Sequence, residues 1–150
     1  MKRAFTLIEA IIVISVITLL VGLTSLSMVN FGKSSEIDSG RTLVVQSLRE
    51  AQSNSLANLG DNPWGVHFEV DKAVIFQDTG TGYNQNDSAN NRTKLMPKGV
   101  ILTPTLTGGT VNLFFDKGKG TTLVTGEITL TSTANTNAVI TINNEGRIDY

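Results

Sequence analysis

FTLIEAIIVISVITLLVGL, residues Phe5 to Leu23, is an apolar run broken by one charged side chain, Glu9. No further charge occurs from Ala10 to Gly32. About 20 apolar residues at 1.5 Å rise suffice to cross a bilayer, so the run predicts a membrane-spanning helix. A carboxylate inside such a segment costs roughly 2.5–3.5 kcal/mol on insertion scales, and a nearby positive charge removes that cost. Met1-Lys2-Arg3-Ala4 is a short basic leader. A cut between Ala4 and Phe5 would create an α-ammonium four residues before Glu9. A secretory signal has an apolar core of only about 7–15 residues. A plain single-pass anchor explains the length but not Glu9.

These residues carry a resemblance. The basic leader, the FTLIEA motif and the aliphatic run that follows resemble type IV pilin-like proteins, a class that includes the pseudopilins of type II secretion. The resemblance implies that a prepilin peptidase cuts between Ala4 and Phe5 and methylates the new N-terminus at Phe5. It implies that Glu9 pairs with the Phe5 ammonium of an adjacent subunit during assembly. Ala4 stands where the family usually carries glycine.

Beyond the apolar run, Ile37, Val44, Leu48, Ala51 and Ser55 are spaced seven, four, three and four residues apart. That spacing is one face of a helix. Leu43, Val45, Leu56 and Leu59 broaden the face, and Gly60 followed by Pro63 predicts the stop. One long helix from Phe5 to Leu59 is expected. Gly22, Gly32 and Gly40 are candidate bending points within it, each costing about 1 kcal/mol relative to alanine.

After Gly60 the period changes to two. Trp64 to Val70 and Ala73 to Gln77 predict a hairpin across Asp71-Lys72. Asp78 to Lys94 is polar and predicts a long surface loop. Val100 to Leu102, Val111 to Phe115, Glu127 to Thr131 and Val139 to Ile142 predict further strands, and Arg147 to Tyr150 a closing one. The expected fold class is α+β, a long N-terminal helix with a membrane-spanning first half packed against an antiparallel β-sheet domain. The expected organisation is a leader at 1–4, a transmembrane or filament-core helix at 5–33, its amphipathic half at 34–60 and a β-rich domain at 61–150.

Composition narrows the function. The chain has 150 residues, no cysteine and a formal net charge of −1. Thiolate chemistry and disulfides are therefore absent, and the charge does not suit an electropositive nucleic-acid binder. His67 is the one histidine, and no G-x-S-x-G elbow accompanies the serines. The glycines of 116–120 lack the spacing of a phosphate loop. No catalytic residue is assigned, and the protein is not expected to be an enzyme.

The phrases LREAQSNSLAN, WGVHF, MPKGVIL, NLFFDKGKG and ITINNEGRI further resemble an H-type minor pseudopilin domain. The resemblance implies a structural subunit assembled through its N-terminal helix into a type II secretion pseudopilus, as a minor subunit at the tip or in initiation. A minor or major pilin of a type IV pilus, with an adhesive or DNA-uptake role, is the alternative. Implied partners are other pilin-like subunits, the prepilin peptidase, an inner-membrane assembly platform and membrane lipid. The implied location is the inner membrane, crossed once, with the C-terminal domain on the far side.

The β-rich part carries two candidate binding sites. Asp78, Asn84, Asn86 and Asp87 supply enough oxygen to make them calcium candidates, but the stretch does not match the EF-hand pattern, so no metal or other cofactor is assigned. Arg147 is the nucleic-acid candidate, in a Gly146-Arg147-Ile148-Asp149 sequence whose acid falls where the family's DNA-binding motif has a second base. No nucleic-acid partner is expected.

Overall fold

The computed structural model describes residues 6–133 and 136–150, with backbone only for 23–34. The chain divides into two compact units, residues 1–34 and 35–150. Helix α1 is Leu7–Leu56. Its side chains are described in two stretches, 7–22 in the first unit and 35–56 in the second.

The first stretch begins at a cap. Thr6 precedes the helix, and its Oγ1 accepts a hydrogen bond from the Glu9 amide at 3.4 Å. Thr-x-x-Glu is the capping-box spacing, which satisfies amides that the first turn leaves without partners. Ser15 and Thr18 donate back to the carbonyls of Ile11 and Ile14, both at 2.8 Å, which keeps their hydroxyls satisfied among aliphatic neighbours.

The expected membrane-spanning first half of the helix is corrected here. Among the described residues no helix is long and apolar enough to cross a membrane. The stretch 35–56 alternates buried and exposed positions. The expected transmembrane helix and single-pass inner-membrane location fall with that finding.

The second unit holds the core. Its helical stretch buries Ile37, Val44, Leu48, Ala51 and Ser55, the five positions of the helical face read from sequence. Leu56, the last residue of the helix, and Leu59, beyond it, are instead exposed. The Asn58 amide bonds to the Ser55 carbonyl and the Leu59 amide to the Asn54 carbonyl, with Asn58 at φ 53°. That pairing is a Schellman stop in which asparagine takes the left-handed position usually given to glycine.

The β-rich part is two four-stranded antiparallel sheets. The strands are β1 (Trp64–Phe68), β2 (Lys72–Gln77), β3 (Arg92–Leu95), β4 (Val100–Leu106), β5 (Asn112–Phe115), β6 (Gly126–Ser132), β7 (Asn137–Ile142) and β8 (Ile148–Asp149). The first sheet runs β3-β2-β1-β5 and the second β4-β6-β7-β8. The predicted hairpin is there, with Val66 opposite Ile75 and Phe68 opposite Ala73. The predicted loop at 78–94 ends in β3, which pairs Arg92 with Ile75 along the edge of the first sheet. Strand β4 edges the second sheet and places Pro104 opposite Ile128 in its middle.

One hydrophobic cluster joins the three layers of this unit. Val44, Leu48 and Ala51 of the helix meet Val66, Phe68, Leu113 and Phe115 of the first sheet and Leu102, Ile128, Leu130 and Ile140 of the second. Gly40 lets the helix come close to the second sheet. A Cβ there would lie 3.2 Å from Leu130 Cδ2 and 3.3 Å from Val100 Cγ1. That glycine therefore has a packing reason rather than a bending one. Gln52 Nε2 clips the same helix to two turns, donating to the Gly120 and Gly146 carbonyls at 2.9 and 2.8 Å.

Candidate functional site

The candidate site is the first helical stretch. Leu7, Ile8, Ile11, Ile12, Val13, Ile14, Val16, Ile17 and Leu19 are all exposed, Leu7 at 80% and Ile8 at 67%. These positions cover every side of the helix, because consecutive residues lie about 100° apart. A surface helix of a soluble domain shows an apolar stripe on one side only. This one has no polar side to turn to water.

Glu9 is the exception within that surface. It lies in the first helical turn, where a carboxylate is favoured by the helix dipole. It forms no ion pair among the described residues. The capping-box spacing with Thr6 gives it a local role that the charge argument from sequence missed, and Thr6-Leu7-Ile8-Glu9 was the signal for it. Ala4 and Phe5, the expected cleavage and methylation positions, lie outside the described residues.

The calcium candidates sit apart, in the loop before β3, and their oxygens face donors of that loop. Asp78 Oδ1 accepts from the amides of Gly80 and Gly82, both at 2.9 Å. Asn84 Oδ1 accepts from the Asn86 amide at 3.0 Å, and Asp87 Oδ2 from Asn90 Nδ2 at 2.9 Å. Among the described residues no three His, Cys, Asp or Glu side chains gather as metal ligands. Arg147, the nucleic-acid candidate, is exposed and held by Asp149 Oδ1 at 2.8 Å.

The same loop does something the sequence did not disclose. It carries Tyr83 onto the outer face of the first sheet, where the phenol ring stacks on His67 at 3.9 Å and 13°. Phe76 meets Tyr83 and Phe114 edge-on at 5.4 and 5.3 Å. His67 Nδ1 lies 2.6 Å from Asn112 Oδ1, and Nε2 lies 3.5 Å from Glu69. Glu69 also accepts from Lys72 at 3.1 Å, and that hydrogen bond is the main cause holding the Lys72 ammonium above its ordinary pKa. Trp64 is on the opposite, inner face, with its indole N–H donating to the Leu59 carbonyl at 2.6 Å.

No family model, curated protein or solved structure matches this chain.

Proposed function

We propose that the chain is a pilin-like structural subunit of the type II secretion pseudopilus class, in the role of a minor subunit. Its first helical stretch packs against the same stretch of neighbouring subunits, after removal of the leader before Phe5. The observation that carries this reading is the all-round apolar surface of 7–22 with Glu9 at its start. Burying one Leu, Ile or Val side chain fully is worth roughly 1.5–3 kcal/mol. A helix apolar on every side recovers that only when it is surrounded, as in a bundle of helices. Glu9 then sets the stagger, because in a dry bundle a carboxylate needs a cation at its own level. The family resemblance supplies the cation, the Phe5 ammonium of the next subunit. The β-rich unit, with its own core, contacts neighbours by its surface.

Glu9 as helix cap and Glu9 as pairing charge make different demands, and two substitutions separate them. Glutamine at this position keeps the capping box but removes the charge. Valine removes both. Pairing requires that Glu9→Gln and Glu9→Val both fail to enter filaments. Incorporation of Glu9→Gln at the level of the unaltered chain would refute charge pairing. The intact mass of the protein from its own cells reports leader loss and N-methylation together, and a mass that retains Met1 would refute the processing.

A further inference from the structure

A shallow cleft of about 160 Å³ lies beside the second helical stretch, lined by Arg41, Thr42, Val45, Gln46, Arg49 and Tyr150. Both charged groups in its lining are cations. The Tyr150 ring lies between them, with the guanidinium carbons of Arg41 and Arg49 at 5.8 and 5.4 Å from its centroid. Arg49 Nη2 also donates to the Tyr150 hydroxyl at 3.2 Å, so the phenolic proton is left to donate elsewhere. Arg41 gives one N–H to Asp38 at 3.0 Å, while Arg49 pairs with no carboxylate among the described residues. The second acid nearby in sequence, Asp149, is taken by Arg147. The cleft thus presents two forked donors beside one aromatic ring: Arg41 keeps N–H groups beyond the one given to Asp38, and Arg49 meets no carboxylate among the described residues. That is the donor set for a carboxylate, which guanidinium groups bind through paired hydrogen bonds.

We infer that this cleft receives a carboxylate side chain of a second copy of the chain. The inference deepens the assembly reading above and rests on it. Charge complementarity within one sequence supports that occupant. Asp61 after the helix, Glu127 on β6 and Glu145 in the β7–β8 turn are exposed and form no ion pair among the described residues. Each copy therefore carries an open cationic fork and open carboxylates on different parts of one unit. A contact between unlike patches is heterologous, and one that does not close on itself propagates into a helical array. The volume suits one side chain and not a secondary-structure element. Val45, also in the lining, is buried.

The test exploits the absence of cysteine in the chain. Gln46→Cys in one tagged copy places a thiol in the cleft and leaves both arginines intact. Asn62→Cys, Thr141→Cys and Asn144→Cys in a second copy place thiols beside Asp61, Glu127 and Glu145. Thr141 is directly opposite Glu127 across the β6–β7 pair. Under oxidation of the assembled full chain, one of these three partners forms a mixed disulfide with Gln46→Cys, and adding Arg49→Ala to the cleft copy reduces it to background. Ile12→Cys in both copies reports the helical contact separately. Cross-linking through Ile12→Cys with none through the cleft overturns this inference and leaves the assembly reading standing. Cleft cross-links that survive Arg41→Ala with Arg49→Ala also overturn it. Loss of both cross-links overturns the two together.

Discussion

Gly146 and Gly108 have nearly the same backbone, φ 77° and φ 78°, and very different surroundings. Nothing lies within 4 Å of the position a Cβ would take at Gly108. At Gly146 a Cβ would overlap the Gly120 carbonyl oxygen and press on Gln52 Nε2. Alanine at either site accepts the left-handed conformation at a cost of about 1–2 kcal/mol. Gly108→Ala should lose only that. Gly146→Ala must also part the two turns that Gln52 joins, forfeiting two hydrogen bonds worth about 0.5–1.5 kcal/mol each. Its expected loss is therefore about 2–5 kcal/mol, a large share of the roughly 5–15 kcal/mol that stabilises a domain. With a urea slope of about 2 kcal/mol per M, the two midpoints should differ by about 0.5–1.5 M. Trp64 is the chain's one tryptophan and is 7% exposed, so its fluorescence reports unfolding of this unit. The titration is run on the full chain in a non-ionic detergent. Equal midpoints for the two variants would refute the claim that the Gln52 clip and the Gly146–Gly120 approach contribute to stability.

Leu48→Ala empties a fully buried position between both sheets and should cost about 2–5 kcal/mol in the same titration; a loss under 1 kcal/mol would mean that the core there is slack. Tyr83→Ala removes the stack on His67 and the edge contact with Phe76, about 0.5–1.5 kcal/mol each, and should speed protease cleavage within 78–91 while Trp64 fluorescence is unchanged. Lys72 is raised above its ordinary value of 10.5, first by its hydrogen bond with Glu69. A cation whose folded pKa is raised contributes stability that is complete below pH 10.5 and lost as pH climbs through the higher folded value. Glu69→Gln should lower the Lys72 titration followed by NMR at the side-chain nitrogen; an unmoved titration would assign the shift to another group.

The strands were legible where alternation was strong and turns were marked by glycine, asparagine or proline. Trp64 to Phe68 and Ala73 to Gln77 showed both signals, and so did Val139 to Ile142. β3 was not legible, since Arg92-Thr93-Lys94-Leu95 is short, charged and mostly exposed; it becomes a strand only because β2 offers an edge beside it. Five positions of the second helical stretch were legible from spacing because one side of it meets two sheets. Its end was not, because Asn58 takes the left-handed position that a reader assigns to Gly60. The division into two sheets was hidden as well, since strand order is fixed by long-range pairing and not by local pattern. Of the candidate site, the apolar surface could be read directly, whereas hydropathy alone overstated it as a membrane span. The role of Thr6 was readable as a capping box but was masked by attention to the charge on Glu9.

Pro104 has one further bearing. It occupies the centre of an outermost strand, where it offers no N–H to an incoming chain, and β3 guards the opposite sheet's border with Arg92 and Lys94. Those two borders resist growth by continuous hydrogen-bonded ribbons. A polymer of the proposed kind would elongate without recruiting backbone there, and its fibres should be dissolved by agents that loosen side-chain contacts while leaving each folded unit whole, unlike amyloid.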